Sequence, residues 1–171
     1  APTASTTAAL ALGDALAVAL LDARGFGADD FARSHPGGTL GRRLLTHVRD
    51  VMRTGEAVPT IAADASLTAA ILAVSRGGLG LVAITDVDGR AVGIFTDGDL
   101  RRAFEKNIDL HHARIADLMS RAPRTISPDR LAVEAVEMME RHRINALLVV
   151  ADDGKLIGAL NMHDLFKAKV I

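Results

Sequence analysis

The sequence predicts an α/β protein built from two copies of one βαββα unit. Residues 61–100 and 126–165 align without gaps at a constant offset of 65, which places Asp64 on Asp129, Ala70 on Ala135, Gly93 on Gly158 and Asp99-Leu100 on Asp164-Leu165. Each copy carries a helical stripe at i, i+3, i+4, i+7: Leu67, Ala70, Ile71 and Val74, then Ala132, Ala135, Val136 and Met139. Each also carries two short apolar runs divided by Asp-Gly, the dipeptide of a two-residue hairpin turn. A repeated unit of this kind buries its apolar face against its own copy. The seam between the copies is then a natural ligand site.

In chain order, the first 45 residues stand apart. Ser5, Thr6 and Thr7 offer helix N-caps, Ala8 to Leu21 is Ala/Leu-rich nearly all the way round, and Arg24-Gly25 is a helix stop. A helix apolar on every face has to be buried in something large, and no strand precedes it here. Residues 1–45 are therefore expected to be the tail of a domain whose body lies upstream, with Ser34-His35-Pro36-Gly37-Gly38 as part of a site; the alternative is a helix packed on the repeats or in a dimer interface. The first repeat, 46–108, reads as a strand holding Thr60, the helix from Leu67, strands Leu81–Ile84 and Ala91–Phe95 around Asp88-Gly89, and a helix near Asp99–Glu105. Lys106–Arg114 is the connector. The second repeat, 109–171, follows with Thr125 on its first strand, Leu147–Val150, Asp153-Gly154, Leu156–Leu160 and a helix near Asp164–Lys169.

Composition excludes several function classes. Twenty basic and 21 acidic residues give a net charge of -1, so nothing draws the chain to a nucleic-acid backbone. With 3% aromatics and no Trp or Tyr there are few platforms on which bases could stack. Zero cysteines exclude disulfides and thiolate metal sites and suit a reducing compartment; a cytoplasmic location is expected. The apolar run Leu10 to Leu21 is broken by Asp14 and too short to span a bilayer, so no membrane partner is expected. His111 and His112 are adjacent and would not share a helix face. No metal and no cofactor are expected.

The repeats resemble cystathionine-β-synthase (CBS) domains, and the pair resembles a Bateman module, over roughly residues 46–171. The whole chain is similar to the C-terminal part of bacterial arabinose-5-phosphate isomerases, which join a sugar isomerase (SIS) domain to a CBS pair. The stretches carrying that likeness are Gly13–Leu21, Ser34–Leu44, Gly93–Arg102 and Met162–Phe166. The resemblance implies a parent enzyme interconverting ribulose 5-phosphate and arabinose 5-phosphate for 3-deoxy-D-manno-octulosonate and lipopolysaccharide synthesis. Aldose–ketose isomerisation needs a base that moves a proton between C1 and C2 and groups that polarise the carbonyl. By resemblance His35 belongs to that isomerase site. The remaining groups would lie upstream, so the chain alone is expected to be inactive.

In CBS pairs nucleotides bind between the repeats, and a G-x-x-T/S-x-x-D pattern marks the binding strand and helix. Gly93 to Asp99 fits it, with Thr96 and Asp99 as its polar residues; Gly158 to Asp164 carries Asn161 in place of the Thr. A carboxylate can accept both ribose hydroxyls, and a hydroxyl at a helix start can meet a phosphate. Arg101 and Arg102 add positive charge. Asn161, His163 and Asp164 form the second motif's candidate set, and Thr60, Thr125, Asp64 and Asp117 should face the same cleft. Without a ligand, Thr96 and Asp99 would serve as a helix cap, worth about 1 kcal/mol. The expected partner is a nucleotide or nucleotide-sugar effector, with self-association into a dimer of CBS pairs and a tetrameric parent.

Overall fold

In the computed structural model, residues 3–27, 30, 34, 45–110 and 112–171 are described. His35 and His111 lie outside them. The chain divides into two compact units, Ala1–Leu45 and Thr46–Ile171.

The first unit holds helix α1 (Ala4–Ala23). Its N-cap is Thr3, so Ser5, Thr6 and Thr7 fall within the first turn instead of capping it; the Thr7 hydroxyl donates to the Thr3 carbonyl at 2.9 Å. The helix ends as expected, with Arg24 as C-cap and Gly25 at φ +64°. None of its residues is buried, and Leu10, Leu16 and Val18 are exposed. At 20 residues it extends about 30 Å and is longer than the apolar run read from the sequence. By length and composition alone it could cross a membrane. Asp14 at its middle opposes that, since a carboxylate at a span's centre costs about 2.5–3.5 kcal/mol.

The second unit contains two sheets. In the first, β1 (Thr60–Ala62) runs parallel to β2 (Leu81–Thr85), which pairs antiparallel with β3 (Ala91–Thr96), and β3 pairs in turn with β4 (Ser120–Arg121). In the second, β5 (Thr125–Ile126) is parallel to β6 (Ala146–Val150), and β6 is antiparallel to β7 (Leu156–Asn161). The registers match copy to copy: Thr60 faces Ala83 as Thr125 faces Leu148, and both hairpins slip at the same place, Ile84/Thr85 and Val149/Val150. That slip makes the hairpin connections longer than the two-residue turns the Asp-Gly pairs suggest. In the first, Asp86 accepts the Asp88 and Arg90 N–H groups at 3.0 and 2.8 Å. In the second, the backbone N–H and side chain of Lys155 hold the Asp153 carboxyl below the usual aspartate range.

Helices α3 (Leu67–Gly77) and α6 (Ala132–His142) cross between the first two strands of each copy and bury the predicted stripes, with Ile71 half-buried. Ser66 caps α3, its hydroxyl accepting the Ala69 N–H at 3.2 Å. Ser66→Ala is expected to lower stability by about 1 kcal/mol, read from a urea melt with unchanged slope. After the hairpins come α4 (Asp97–Glu105) and α7 (Met162–Lys167). Both start two residues before the aspartate of the motif, because Thr96 and Asn161 are the N-caps.

The central strands are buried on both faces. Val82 and Ile84 face the first repeat's helices, whereas Leu81 and Ala83 meet Leu148 and Ala159 of the other copy. A shared core thus joins the repeats face to face, and the hairpins touch where the Leu156 N–H donates to the Gly89 carbonyl at 2.9 Å.

The leading segments are exchanged. The short helix α2 (Val48–Val51) and Met52 pack in the core of the second repeat, and the Arg53 backbone pairs with Ala159. Reciprocally, α5 (Ile115–Leu118) and Met119 pack in the core of the first, which β4 extends. The motif glycines make room for this. A Cβ on Gly93 would overlap the Met119 sulfur, and one on Gly158 would lie 2.7 Å from the Met52 sulfur and 2.8 Å from the Arg53 carbonyl oxygen.

Candidate functional site

A cleft of about 810 Å³ lies between the repeats within the second unit. One wall is the β3–α4 junction, with Ile94, Thr96, Asp97 and Gly98, and the exchanged Ser120 beside it. The other is the turn between α6 and β6, Arg143 to Ala146, with Arg124 ahead of β5; Gly78 to Gly80 and Asn161 to His163 complete the rim.

Strand β3 delivers Thr96 and Asp99 to this cleft as a reciprocal cap. The Asp99 N–H donates to Thr96 Oγ1 at 3.3 Å, while the Thr96 N–H and Oγ1 donate to Asp99 Oδ2 at 2.9 and 2.7 Å. The other oxygen, Oδ1, accepts Arg102 Nη2 at 2.7 Å and Ser120 Oγ at 3.3 Å. Asp99 is 9% exposed, and it is the buried charged residue among those described. Its inner oxygen is therefore committed to the fold, whereas its outer oxygen meets two partners that can move. The Arg102 side chain is 54% exposed, and such surface pairs contribute at most about 1 kcal/mol. A ligand diol could take their place.

The cleft is cationic. Arg101, Arg102, Arg124 and Arg143 face two aspartates, Asp97 and Asp99. Among the described residues, the ion-pair partner of Arg101 is exposed Glu105, at 3.8 Å. Arg143 is a costly residue where it stands. It is the C-cap of α6 at φ +53°, a left-handed conformation that side chains disfavour by about 1–2 kcal/mol; the first repeat places Gly78 at the equivalent position, at φ +59°. A guanidinium retained there against its backbone preference suits a site for an anionic group.

Of the residues singled out from the sequence, Thr96, Asp99, Arg101, Arg102, Asn161 and His163 line the cleft, and Asp164, Asp64, Asp117, Thr60 and Thr125 do not. Asp164 turns instead to Arg53, whose Nη2 lies 3.0 Å from its Oδ1. Asp64 precedes α3, an 11-residue helix whose far end supplies the cleft's Gly78, so about 16 Å of helix separates them. Asp117 is exposed on α5, because Ile115 and Leu118 on the same turn face the core. Thr60 and Thr125 are held in β1 and β5 and do not reach the lining. Arg124, Arg143 and Asn145 escaped the sequence reading. The mismatch of Gly77-Gly78 with His142-Arg143 was the available signal, but it reads equally as a difference in helix ending.

The architecture defines a tandem pair, and the chain belongs to the CBS domain family, whose pattern matches residues 48–106 and 115–171. Over all 171 residues it is 55% identical to the arabinose 5-phosphate isomerase KdsD of Yersinia pestis and 53% identical to that of Pseudomonas aeruginosa. In both cases it covers 52% of the relative, so it spans about half the length of the curated relatives it matches. Among solved structures it is similar to the CBS domain protein PAE2072 from Pyrobaculum aerophilum complexed with AMP. The TM-score is 0.64 at 24% identity, over 70% of this chain and 89% of that one.

Proposed function

We infer that this chain is the effector-sensing CBS pair of a cytoplasmic arabinose 5-phosphate isomerase, and that the inter-repeat cleft takes an anionic nucleotide. The observation that carries the reading is the cationic cleft around the Thr96–Asp99 cap, with Arg143 held in a left-handed conformation on the opposite wall. The likeness to KdsD over the full chain supplies the enzyme. The likeness to a CBS protein complexed with AMP supports a nucleotide as the ligand class. The effector is a nucleotide-linked product of the pathway, CMP-3-deoxy-D-manno-octulosonate. It carries a phosphodiester and a carboxylate, two separate negative groups for arginines on two walls. Feedback needs a coupling of only about 1–3 kcal/mol between this cleft and the isomerase site.

Calorimetric titration of the chain with CMP-3-deoxy-D-manno-octulosonate, and with AMP in parallel, tests the reading. Saturable binding of the sugar nucleotide that Asp99→Ala abolishes supports it; AMP binding alone moves the assignment to adenine-nucleotide sensing. The chain by itself is expected to turn over no ribulose 5-phosphate, His35 being one group of a site whose other members lie elsewhere. A purely structural role is the second reading, in which CBS pairs dimerise and hold a tetramer together. It is favoured by the fact that the Thr96–Asp99 pair already satisfies itself as a cap, and it requires that no nucleotide binds.

Arg143→Gly separates fold from function. It relieves the left-handed strain, so stability is expected to rise by about 0.5–1 kcal/mol, while affinity for the anionic ligand falls. Melts and titrations of the same preparation read both.

A further inference from the structure

The two motifs are not equivalent in what reaches their aspartates, and the difference traces to one residue. Met52 and Met119 each pack against a motif glycine from an exchanged segment. The residue after Met119 is Ser120, which leaves the outer oxygen of Asp99 with one 3.3 Å contact and an exposed arginine. The residue after Met52 is Arg53. Its Nε lies 3.2 Å from both oxygens of Asp164 and its Nη2 3.0 Å from Oδ1, while Nη1 donates to the Gly77 carbonyl at 3.4 Å. The pair is sheltered, with side chains 27% and 10% exposed. Beside it Pro59 fills the space against Gly77, so that a Cβ there would overlap the proline ring. Asp99 of the first motif lines the cleft, whereas Asp164 of the second is packed against Arg53.

We propose that Arg53 is a built-in occupant of the second nucleotide position. Its guanidinium takes the carboxylate that a ribose would need, ties the carbonyl end of α3 to the cap of α7, and leaves one ligand site per chain. The inference rests on the reading that the Thr96–Asp99 cleft binds nucleotides, but its test is a difference and stands apart from that reading. AMP and CMP-3-deoxy-D-manno-octulosonate are titrated into the wild-type chain, Arg53→Ser (which copies Ser120) and Arg53→Gln, with folding checked by circular dichroism melts.

Either Arg53 variant is expected to bind one more molecule per chain than wild type, and Asp164→Ala added to it should remove that extra site. Equal stoichiometry in wild type and a folded Arg53 variant overturns the proposal, as does a wild-type chain that binds two. The wild-type count itself reads the cleft: zero there with a gain in the variants would retire the Thr96–Asp99 site and keep the role of Arg53. Should both Arg53 variants fail to fold, the converse change decides. Ser120→Arg is expected to place a second guanidinium, less exposed than that of Arg102, against Asp99 and reduce binding at least tenfold relative to wild type; unchanged affinity overturns the proposal.

Discussion

Gly158→Val is expected to lower stability by about 3 kcal/mol, the upper end of what overpacking a close-packed core costs. The new side chain would enter space held by the Met52 sulfur and the Arg53 carbonyl. The sulfur can swing away. The carbonyl cannot, because it accepts the Ala159 N–H at 3.1 Å in the bridge that fastens the exchanged segment to the second sheet. The companion Gly93→Ala meets only the Met119 side chain, so its cost is expected to be smaller and to be rescued by Met119→Ala. Met52→Ala should rescue Gly158→Ala only in part. Urea melts of these single and paired variants check this, and full rescue at both sites would mean that the backbone of the exchanged segment does not fix its position.

Removing Arg124 and Arg143 together is expected to weaken effector binding by roughly 100-fold or more. A hydrogen bond to a charged group is worth about 1.5–3 kcal/mol, a factor of ten or more for each residue. Both residues line the second repeat's wall of the cleft. Neither is engaged in an ion pair among the described residues, so the double Arg→Ala variant should fold normally. The loss should shrink as salt rises, because screening weakens the wild-type interaction first. A double variant that binds as wild type, measured by calorimetry at low salt, would place the anion elsewhere.

Much of this fold is written in the sequence. A 65-residue offset, two helical stripes and two Asp-Gly hairpins are periodic signals, and they locate Ala132, Ala135, Val136 and Met139 in the core before any coordinates are seen. The exchange of leading segments leaves no such mark. Segments of six or seven residues, Val48–Arg53 and Ile115–Arg121, are too short to show a period, and nothing local says which sheet they join. The motif glycines hold the missing information, since each is needed for the close approach of a methionine from that segment.

The same limit governs the site. Thr96 and Asp99 are legible because the motif is contiguous. Arg143 stands in no motif along the chain, and only its φ reveals that it occupies a glycine's place. Asp164 looks equivalent to Asp99 along the chain, yet the two differ through Arg53 and Ser120, residues 111 and 21 positions away in sequence. Asp64 and Asp117 sit near the first strands in sequence, but helix length and the orientation of a single turn send them away from the cleft.

The most direct test of the proposed effector cleft is a crystal structure of this chain grown with saturating CMP-3-deoxy-D-manno-octulosonate. Density is expected between Thr96–Asp99 and the Arg143 turn, with the ribose hydroxyls on Asp99 Oδ1 in place of Ser120 and an anionic group within hydrogen-bonding distance of Arg124 or Arg143. A structure showing the nucleotide bound at another surface, with the contacts between Asp99, Arg102 and Ser120 intact, would contradict it.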